Sequence, residues 1–589
     1  MSLNDFHPII RQWFTEKIGT PTVIQDKAWP LIQEGRHVLV TAPTGCGKTL
    51  TAFLWALHQL IQGTWETGQT RVLYISPLKA LNNDIQRNLL TPLKQLQDFF
   101  AARDTHMPEI RVITRSGDTP SSERRKMRRH PPEILITTPE SLNILLTSRN
   151  ALPSLSGIRT VILDEIHAVV DSKRGTHLIS AVDRLVPLAG EFQRIALSAT
   201  VKPLDLVARF VGGYQQTGPD TYVARPVVTV ASGESKVYDL KVEFPDDARE
   251  KMIEDSWWPA LIDHFRAVLN NNRSTLLFAN SRRLVEKVAR LVNESEQKVV
   301  VYAHHGSLSR EIRLAVEQKL KQGELRGIVA TNSLELGIDI GSLDSVVMIQ
   351  TPFSVSSTIQ RLGRAGHRVG QVSRGSIVPT HGADFLVAAV MAHAVSEQDI
   401  EKVNPVREPL DVLTQIILSA CVTQTWDIDA LYDFVRTSFP FHKLKRTHYD
   451  LVLQMLQGRY ADTRLRELKP RVTVDRLENT IKAKDASAYL LFMAGGTIPD
   501  RGYYNLRLQD TKAKLGELDE EFVWERNIGD PFGVGSRIWR IHRIPHNDVE
   551  VKPETRQLNI IPFWKAESRD AAFHFASKVG VFLEWANEY

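Results

Sequence analysis

Residues 42–49, Ala-Pro-Thr-Gly-Cys-Gly-Lys-Thr, constrain this chain more than any other stretch. They follow the apolar run Val38-Leu39-Val40, which reads as a buried strand. They precede Leu50 to Leu57, which reads as a helix. A glycine-rich turn between a strand and a helix aims backbone N–H groups and a helix N-terminus at one point, and that point suits phosphate. Thr44, Gly45, Cys46 and Gly47 would form the cradle. Lys48 would reach the outer phosphates and Thr49 would hold Mg²⁺. The strict pattern opens with Gly where this chain has Ala42, so the octet needs support from elsewhere.

That support comes from an acidic segment. Val161-Ile162-Leu163 reads as a strand and is followed by Asp164-Glu165-Ile166-His167. Carboxylates at the C-terminal end of a parallel strand lie at the ligand-binding edge of a sheet. Asp164 would organise Mg²⁺ and its waters, and Glu165 would orient or deprotonate an attacking water.

At 589 residues the chain is too long for one core, and about three to four domains are expected. Residues 1–225 alternate strand-like runs (Val72–Ile75, Ile134–Ile136, Val161–Leu163, Ile195–Leu197) with helical stretches. Continuous apolar strands between helices imply a parallel sheet covered on both faces. The pattern restarts over 226–405, with Leu276–Phe278, Val299–Tyr302, Ile328-Val329 and Ser345–Ile349 as strands. Residues 406–485 read as a small helical module with a short wing, Asp411–Ser419 and Tyr449–Leu456 having amphipathic spacing. Residues 486–589 read as a β-rich barrel or meander, punctuated by Gly495-Gly496 and Gly533-Val534-Gly535 and ending in the helix-like Phe573–Trp585.

No apolar run approaches the ~18 residues of a membrane span, and the first eight residues lack a leader pattern. The expectation is a cytoplasmic protein with no membrane partner. Two cysteines, Cys46 and Cys421, cannot supply a paired zinc or iron–sulfur ligand set. A net charge of +5 permits a polyanionic partner without proving one. The basic run Arg124-Arg125-Lys126, Arg128-Arg129-His130 reads equally as a solvated helix face.

The order of further blocks resembles superfamily 2 helicases. Pro21-Thr22-Val23-Ile24-Gln25 is similar to the segment whose glutamine reads the adenine edge. Ser198-Ala199-Thr200 matches the coupling motif that follows the Asp164–His167 block. Thr331–Asp339, with Gly337 and Asp339, and Gln360-Arg361-Leu362-Gly363-Arg364-Ala365-Gly366-His367 match the second-domain motifs. More narrowly, the chain resembles the large helicase-related proteins. Thr44–Thr49, Ser76-Pro77-Leu78-Lys79-Ala80-Leu81, Asp164–His167 and Gly495-Gly496-Thr497-Ile498-Pro499-Asp500-Arg501-Gly502 carry that resemblance, and Pro562–Lys565 extends it towards the C-terminus.

The resemblance implies an α/β fold of tandem RecA-like parallel-sheet domains, then a helical winged-helix module and a β-rich barrel-like module. In the family more chain follows, so this is either a shortened homologue or part of a longer protein. The implied activity is ATP- and Mg²⁺-dependent translocation on single-stranded DNA, 3′ to 5′. It would displace the DNA or RNA strand of a DNA:DNA or DNA:RNA duplex with a single-stranded tail. ATP would bind between the two α/β domains, with Lys48, Asp164, Glu165 and His167 on one side and Gln360, Arg361 and Arg364 on the other. An arginine finger of this kind contributes ~10³–10⁵ in rate. The structural alternative for either arginine is an interdomain salt bridge.

Candidate nucleic-acid contacts in the first domain are Ser76, Lys79 and Asn82, then Arg115, Gly117 and Asp118, and Thr138 with Glu140. Those in the second are Asn280, Ser281, Arg282, His305, Gly306 and Thr331. Hydroxyls, amides and helix N-termini hold phosphates without reading bases. His304 and His305 lack a third metal ligand in view. Trp564 beside Lys565 is a candidate base-stacking platform or a core residue, and Ile498 a candidate wedge or a core residue. Two rivals remain open: a Ski2-like RNA helicase and an ATP-gated clamp that does not unwind. Oligomeric state is not legible.

Overall fold

The computed structural model describes residues 3–588 apart from 44, 78, 118, 234–236, 249, 251–255, 295–297, 336–342, 366–371, 460–468, 494, 498–502, 536, 546, 555–560 and 563–571. The side chains of 79–84, 87 and 88 are also outside the description. The chain divides into two compact units. One comprises Met1–Gly233 with Lys402–Ile498, the other Glu234–Glu401 with Pro499–Tyr589.

The first unit is built on a seven-stranded parallel sheet. Its order is Val112–Arg115, Ile134–Thr137, Val72–Ile75, Thr160–Leu163, Gln193–Ser198, His37–Thr41, Val227–Ala231. The central strands are apolar at almost every position because both faces are covered. Val38, Val40, Val72, Tyr74 and Ile162 enter one core, and Leu39, Leu73, Ile75, Val161 and Leu163 enter the other. Trp13 and Trp29, on the helices Pro8–Lys17 and Val23–Gln33, are fully buried against the first of these cores. Burial of an apolar side chain contributes roughly 1.5–3 kcal/mol or more for rings of this size.

The helical module belongs to this same unit. Helices Leu410–Thr423, Ile428–Val435 and Arg446–Leu456 pack with a three-stranded antiparallel wing, Trp426–Asp427, Thr480–Ala483 and Val472–Asp475. It docks on the α/β sheet domain through buried hydroxyl pairs, Thr147–Ser419 at 2.7 Å and Ser180–Ser438 at 3.1 Å. The Tyr214 ring also stacks on His442 at 3.5 Å. Residues 485–493, where the composition turns towards glycine-punctuated text, form a further helix, Asp485–Met493, and strands resume only at Tyr503. The run Tyr489–Met493 has no alternating polar positions to make a strand.

The second unit repeats the parallel theme with six strands: Tyr238–Val242, Ser373–Val378, Ser345–Ile349, Thr275–Ala279, Gly327–Ala330 and Val301–His304. The expected strand at 299–302 lies two residues later, at Val301–His304. The β-rich module here is an open, mixed five-stranded sheet ordered Lys514–Asp519, Tyr503–Leu508, Asp548–Glu554, Arg537–Arg543, Pro531–Val534. It shares one core with the α/β part: Phe265, Val285 and Val301 pack with Leu506, Phe532 and Trp539. Backbone bonds staple the two together, Ser309 N–H to Leu515 O and Glu517 N–H to Ser307 O, each 2.7 Å. Gly516 is required there, since a Cβ would lie 2.1 Å from Ser307 O.

Candidate functional site

The glycine-rich turn joins the strand His37–Thr41 to the helix Lys48–Ile61. Gly45 and Gly47 take left-handed backbone, with φ of 87° and 76°, which other residues reach only with strain. A side chain at Gly47 would also meet Gln25, whose Nε2 is 2.8 Å from the Cβ position. Gln25 is buried, and its Oε1 accepts the Thr22 N–H at 2.9 Å in a capping box. Thr22 Oγ1 in turn donates to Cys46 O at 3.1 Å. The segment Thr22–Gln25 is thus clamped to the loop. Lys48 Nζ donates to Ala42 O at 2.6 Å and Pro43 O at 3.1 Å, which places the ammonium at the turn. Thr49, half-buried, follows it at the helix start. Cys46 is buried within the turn and forms no disulfide, and Thr44 lies outside the described residues.

Strand Thr160–Leu163 delivers Asp164 and Glu165 to the same sheet edge, both nearly buried. Asp164 Oδ1 accepts the Glu165 N–H at 2.8 Å, and Tyr74 OH donates to Oδ2. Burial first, then the neighbouring Glu165 charge, push the Asp164 carboxyl up to about 7, while Tyr74 and Lys48 act the other way. Such a carboxylate favours a nearby cation. Thr49 and Asp164 are the donors a Mg²⁺ ion takes from a protein when phosphates and waters complete its shell. The residues present therefore fit that ion.

His167 joins this cluster to the next strand. Its Nδ1 accepts the Ala199 N–H at 3.1 Å, with Ser198 Oγ at 3.3 Å. That bond leaves the ring proton on Nε2, which faces Glu165 Oε2 at 3.4 Å. Strands Thr160–Leu163 and Gln193–Ser198 pair in parallel, so the residues just past their ends meet. The Asp164–His167 block and Ser198–Thr200 are therefore physically linked.

In the second unit Arg361 and Arg364 are both buried. Arg361 forms an ion pair with Glu335 of its own unit, Nε to Oε2 being 3.0 Å. Its Nη1 donates to Asn280 Oδ1 at 3.4 Å, and the guanidinium lies over the Phe278 ring. Gln360, beside it on the helix Val355–Leu362, is half-buried. Gly337, Asp339, Gly366 and His367 lie outside the described residues.

The nucleic-acid candidates fall into several environments. Ser76 is fully buried and its N–H donates to Thr137 O at 3.1 Å. Lys79 and Asn82 stand in the first turn of the helix Lys79–Ala101. Arg115 ends the edge strand Val112–Arg115, and Gly117 is exposed, its carbonyl accepting from Arg124 at 2.7 Å. Thr138 caps the helix Pro139–Thr147 by accepting the Ser141 N–H. Glu140 is held by Arg174 at 2.6 and 3.1 Å. Although burial acts to raise its pKa, Arg174 keeps the carboxyl below its ordinary range. Gly495 and Gly496 pack on Ile144 and Glu140, where a Cβ would meet Ile144 Cδ1 at 2.5 Å and Glu140 Cγ at 3.4 Å.

On the second unit, Asn280 donates to Thr351 O at 2.7 Å, and Ser281 caps the helix Arg282–Asn293. Arg282 donates to Ser307 Oγ, Thr331 is nearly buried, and Gly306 is exposed. His305 stands on the loop that the sequence offers as a nucleic-acid contact. The imidazole is fully buried, with Nε2 on Glu286 Oε1 at 2.8 Å, so only the backbone of this loop can meet a strand. His304 is buried likewise, on Glu317 at 3.0 Å. Among the described residues no group of three metal-ligating side chains occurs. Asp118, Ile498, Trp564 and Lys565 lie outside the described residues. Tyr74, Thr22, Glu335 and Glu286 are site residues to which the sequence alone assigns no role. Tyr74 reads as one more apolar strand position, and the two glutamates as ordinary helix and loop acids.

Comparison with known proteins gives three family matches: DEAD/DEAH box helicase over residues 22–207, helicase conserved C-terminal domain over 260–369, and the winged helix domain of large helicase-related protein over 393–561. The chain is 38% identical over 98% of its length to an ATP-dependent helicase Lhr-Core protein 2 of Thermococcus barophilus, of which it covers 67%. It is 40% identical to a Lhr helicase/probable uracil glycosylase of Mycolicibacterium smegmatis, matching 98% of this chain and 40% of that protein. The chain thus spans about two fifths of the mycobacterial relative and about two thirds of the archaeal one. A solved structure of the Mycobacterium smegmatis helicase Lhr bound to ssDNA and AMP-PNP superposes with a TM-score of 0.77 at 41% identity, over 92% of this chain and 68% of that one. By its motifs, its fold and this similarity, the chain belongs to the large helicase-related (Lhr) family of helicases.

Proposed function

We propose that this chain is an ATP-driven motor that loads on single-stranded DNA, moves 3′ to 5′ and displaces a DNA or RNA strand from the tracked DNA. The observation that carries this reading is the contact path from Glu165, 3.4 Å from the His167 ring, through the His167 hydrogen bond to Ala199. It connects the group that would orient the attacking water to the segment that resembles the coupling motif. A simple nucleotide hydrolase has no need of such a link. Lys48 binds the outer phosphates of ATP, and Gln25, clamped to the loop, recognises the base. Thr49 and Asp164 hold Mg²⁺, which neutralises phosphate charge when bound. Arg361 and Arg364 stabilise the transition state, and the polar loops from Ser76 to Glu140 and Asn280 to Thr331 hold strand phosphates. The mycobacterial relative, solved bound to ssDNA and AMP-PNP, supports single-stranded DNA as the track. No described helix is long and apolar enough to cross a membrane, and a cytoplasmic placement is part of the same proposal.

The test pairs two assays on one preparation. ATP hydrolysis is measured with and without single-stranded DNA, and strand release from tailed DNA:DNA and DNA:RNA duplexes is measured beside it. Stimulated hydrolysis with ATP-dependent release from a 3′-tailed DNA substrate is expected. Hydrolysis without release would make the chain a clamp. Release only from an RNA track would make it a Ski2-like RNA helicase.

A further inference from the structure

The basic run at 124–130 has no part in the site described above, and the fold gives it a place. It forms the helix Ser121–Arg129 of the first unit. Arg124, Arg125 and Arg128 of this helix line an open cavity of about 310 Å³ together with Arg115, Ser121 and Phe492. Arg115, Arg124, Arg125 and Arg128 line this one cavity, and no carboxylate lines it among the described residues. Glu123, on the same helix, is exposed and is not part of the lining. Arg124 is braced from behind, its Nε donating to Thr119 O at 2.8 Å and its Nη2 to Gly117 O at 2.7 Å. Arg125 and Arg128 are exposed and form no ion pair among the described residues. Four like charges around one space repel each other unless an anion joins them. Burial, then the charges of Arg124 and Arg128, lower the Arg115 pKa to about 10, in keeping with that mutual repulsion.

A second observation indicates what kind of anion fits. Phe492, on the helix Asp485–Met493, is 44% exposed at this same cavity. Cations with a bare aromatic ring beside them suit a phosphate and the base attached to it. An acidic peptide would satisfy the arginines but leave the ring without a partner.

We propose that this cavity is an accessory site for single-stranded nucleic acid, in which Arg125 and Arg128 grip backbone phosphate and Phe492 stacks on a base. The inference rests on the reading of the chain as a motor on single-stranded DNA, and it extends the track beyond Arg115. Guanidinium–phosphate contact and ring stacking carry no base preference, so the site is sequence-neutral.

The experiment measures binding of the full chain to fluorescent oligothymidylate across a salt series. It compares wild type, Arg125→Gln with Arg128→Gln, Phe492→Ala, and a control double variant, Lys126→Gln with Arg129→Gln. The control removes the same charge from the same helix but leaves the cavity lining intact. The cavity double variant is expected to flatten the slope of log affinity against log salt by about 0.7 for each phosphate no longer gripped. Phe492→Ala is expected to weaken binding roughly fivefold or more at every salt concentration while keeping the slope. The control keeps the wild-type slope. An equal flattening in the control would show a general field effect and overturn the proposal. So would a wild-type slope in a cavity double variant with an unchanged melting curve. Displacement of the DNA by polyglutamate from wild type but not from the cavity double variant would assign the cavity to acidic protein instead. If wild type fails to bind oligothymidylate at all, the motor reading itself falls, an outcome distinct from the others.

Discussion

The two α/β units present their charged residues in opposite ways. In the first, Asp164 and Glu165 crowd together at the sheet edge, and burial beside Glu165 pushes Asp164 up to about 7. Tyr74, His167 and the Lys48 turn surround them, and among the described residues no guanidinium pairs with either acid. In the second, several described polar side chains of the motif loops already hold an acidic partner. Arg361 is held by Glu335, His305 by Glu286 and His304 by Glu317. The first unit is therefore an electrostatically unfinished site that gains by taking in a cation and phosphates. In the second, Arg361, His304 and His305 already have acidic partners that they must keep or exchange to act. The proposed motor function would use both kinds: a site that binds because it is unsatisfied, and a partner surface whose groups are held in place.

The largest effects should break the unfinished site. Lys48→Ala should lower DNA-stimulated phosphate release by ~10³ or more, because no other side chain of the turn can meet the outer phosphates. Glu165→Gln should lower it by ~10²–10⁴ while nucleotide binding, read by a fluorescent ATP analogue, is retained. Near-normal turnover in Lys48→Ala would end the phosphate-loop assignment.

Next come the paired cations. Arg361→Ala and Arg364→Ala should each cut maximal turnover by roughly 10³ with a much smaller change in ATP affinity, as a transition-state contact requires. Glu335→Gln, which removes only the holding charge, should keep most of the turnover. If instead Arg361→Ala chiefly lowers the melting temperature, the pair with Glu335 is structural. Stranding a fully buried acid costs about 3–5 kcal/mol, and the partly buried Glu335 should cost less.

His167→Ala sharpens the comparison further, since it cuts the link between the acids and Ala199. It should lower strand release per ATP hydrolysed by about tenfold while leaving DNA-independent hydrolysis measurable. A release ratio equal to wild type would make His167 a packing residue.

Smaller still, Glu286→Ala should cost about 1–3 kcal/mol in chemical denaturation, because it leaves buried His305 and the Gly535 N–H without their acceptor. An unchanged midpoint would show that this pairing adds nothing. The smallest effect is expected for Trp564→Ala: basal hydrolysis unchanged, and single-strand binding weaker by about fivefold. A large fall in melting temperature would place Trp564 in a core.

Much of this was legible from local text. The phosphate turn needs only consecutive residues, since strand, glycines, lysine and helix follow one another within the range a single βα unit spans. Asp164-Glu165 is likewise read from an apolar strand ending in acids. Both sheets were legible too: strands covered on both faces read as near-continuous apolar runs, which leaves a mark that survives without alignment. Family resemblance then supplied the order of parts.

What only the tertiary structure decided is which polar groups meet. The sequence holds His304 and His305 side by side, yet their fate is set by Glu317 and Glu286, each well separated in sequence and on a helix whose register places an acid under the ring. Tyr74 becomes a partner of Asp164 only because strands Val72–Ile75 and Thr160–Leu163 lie adjacent. The helical module joins the first unit and the β-rich module the second, although the two are consecutive in the chain. Linear text carries propensity and local geometry. Burial, pairing and the sign of a pKa shift arise from neighbours distant in sequence, and those are fixed when the sheets and helices pack.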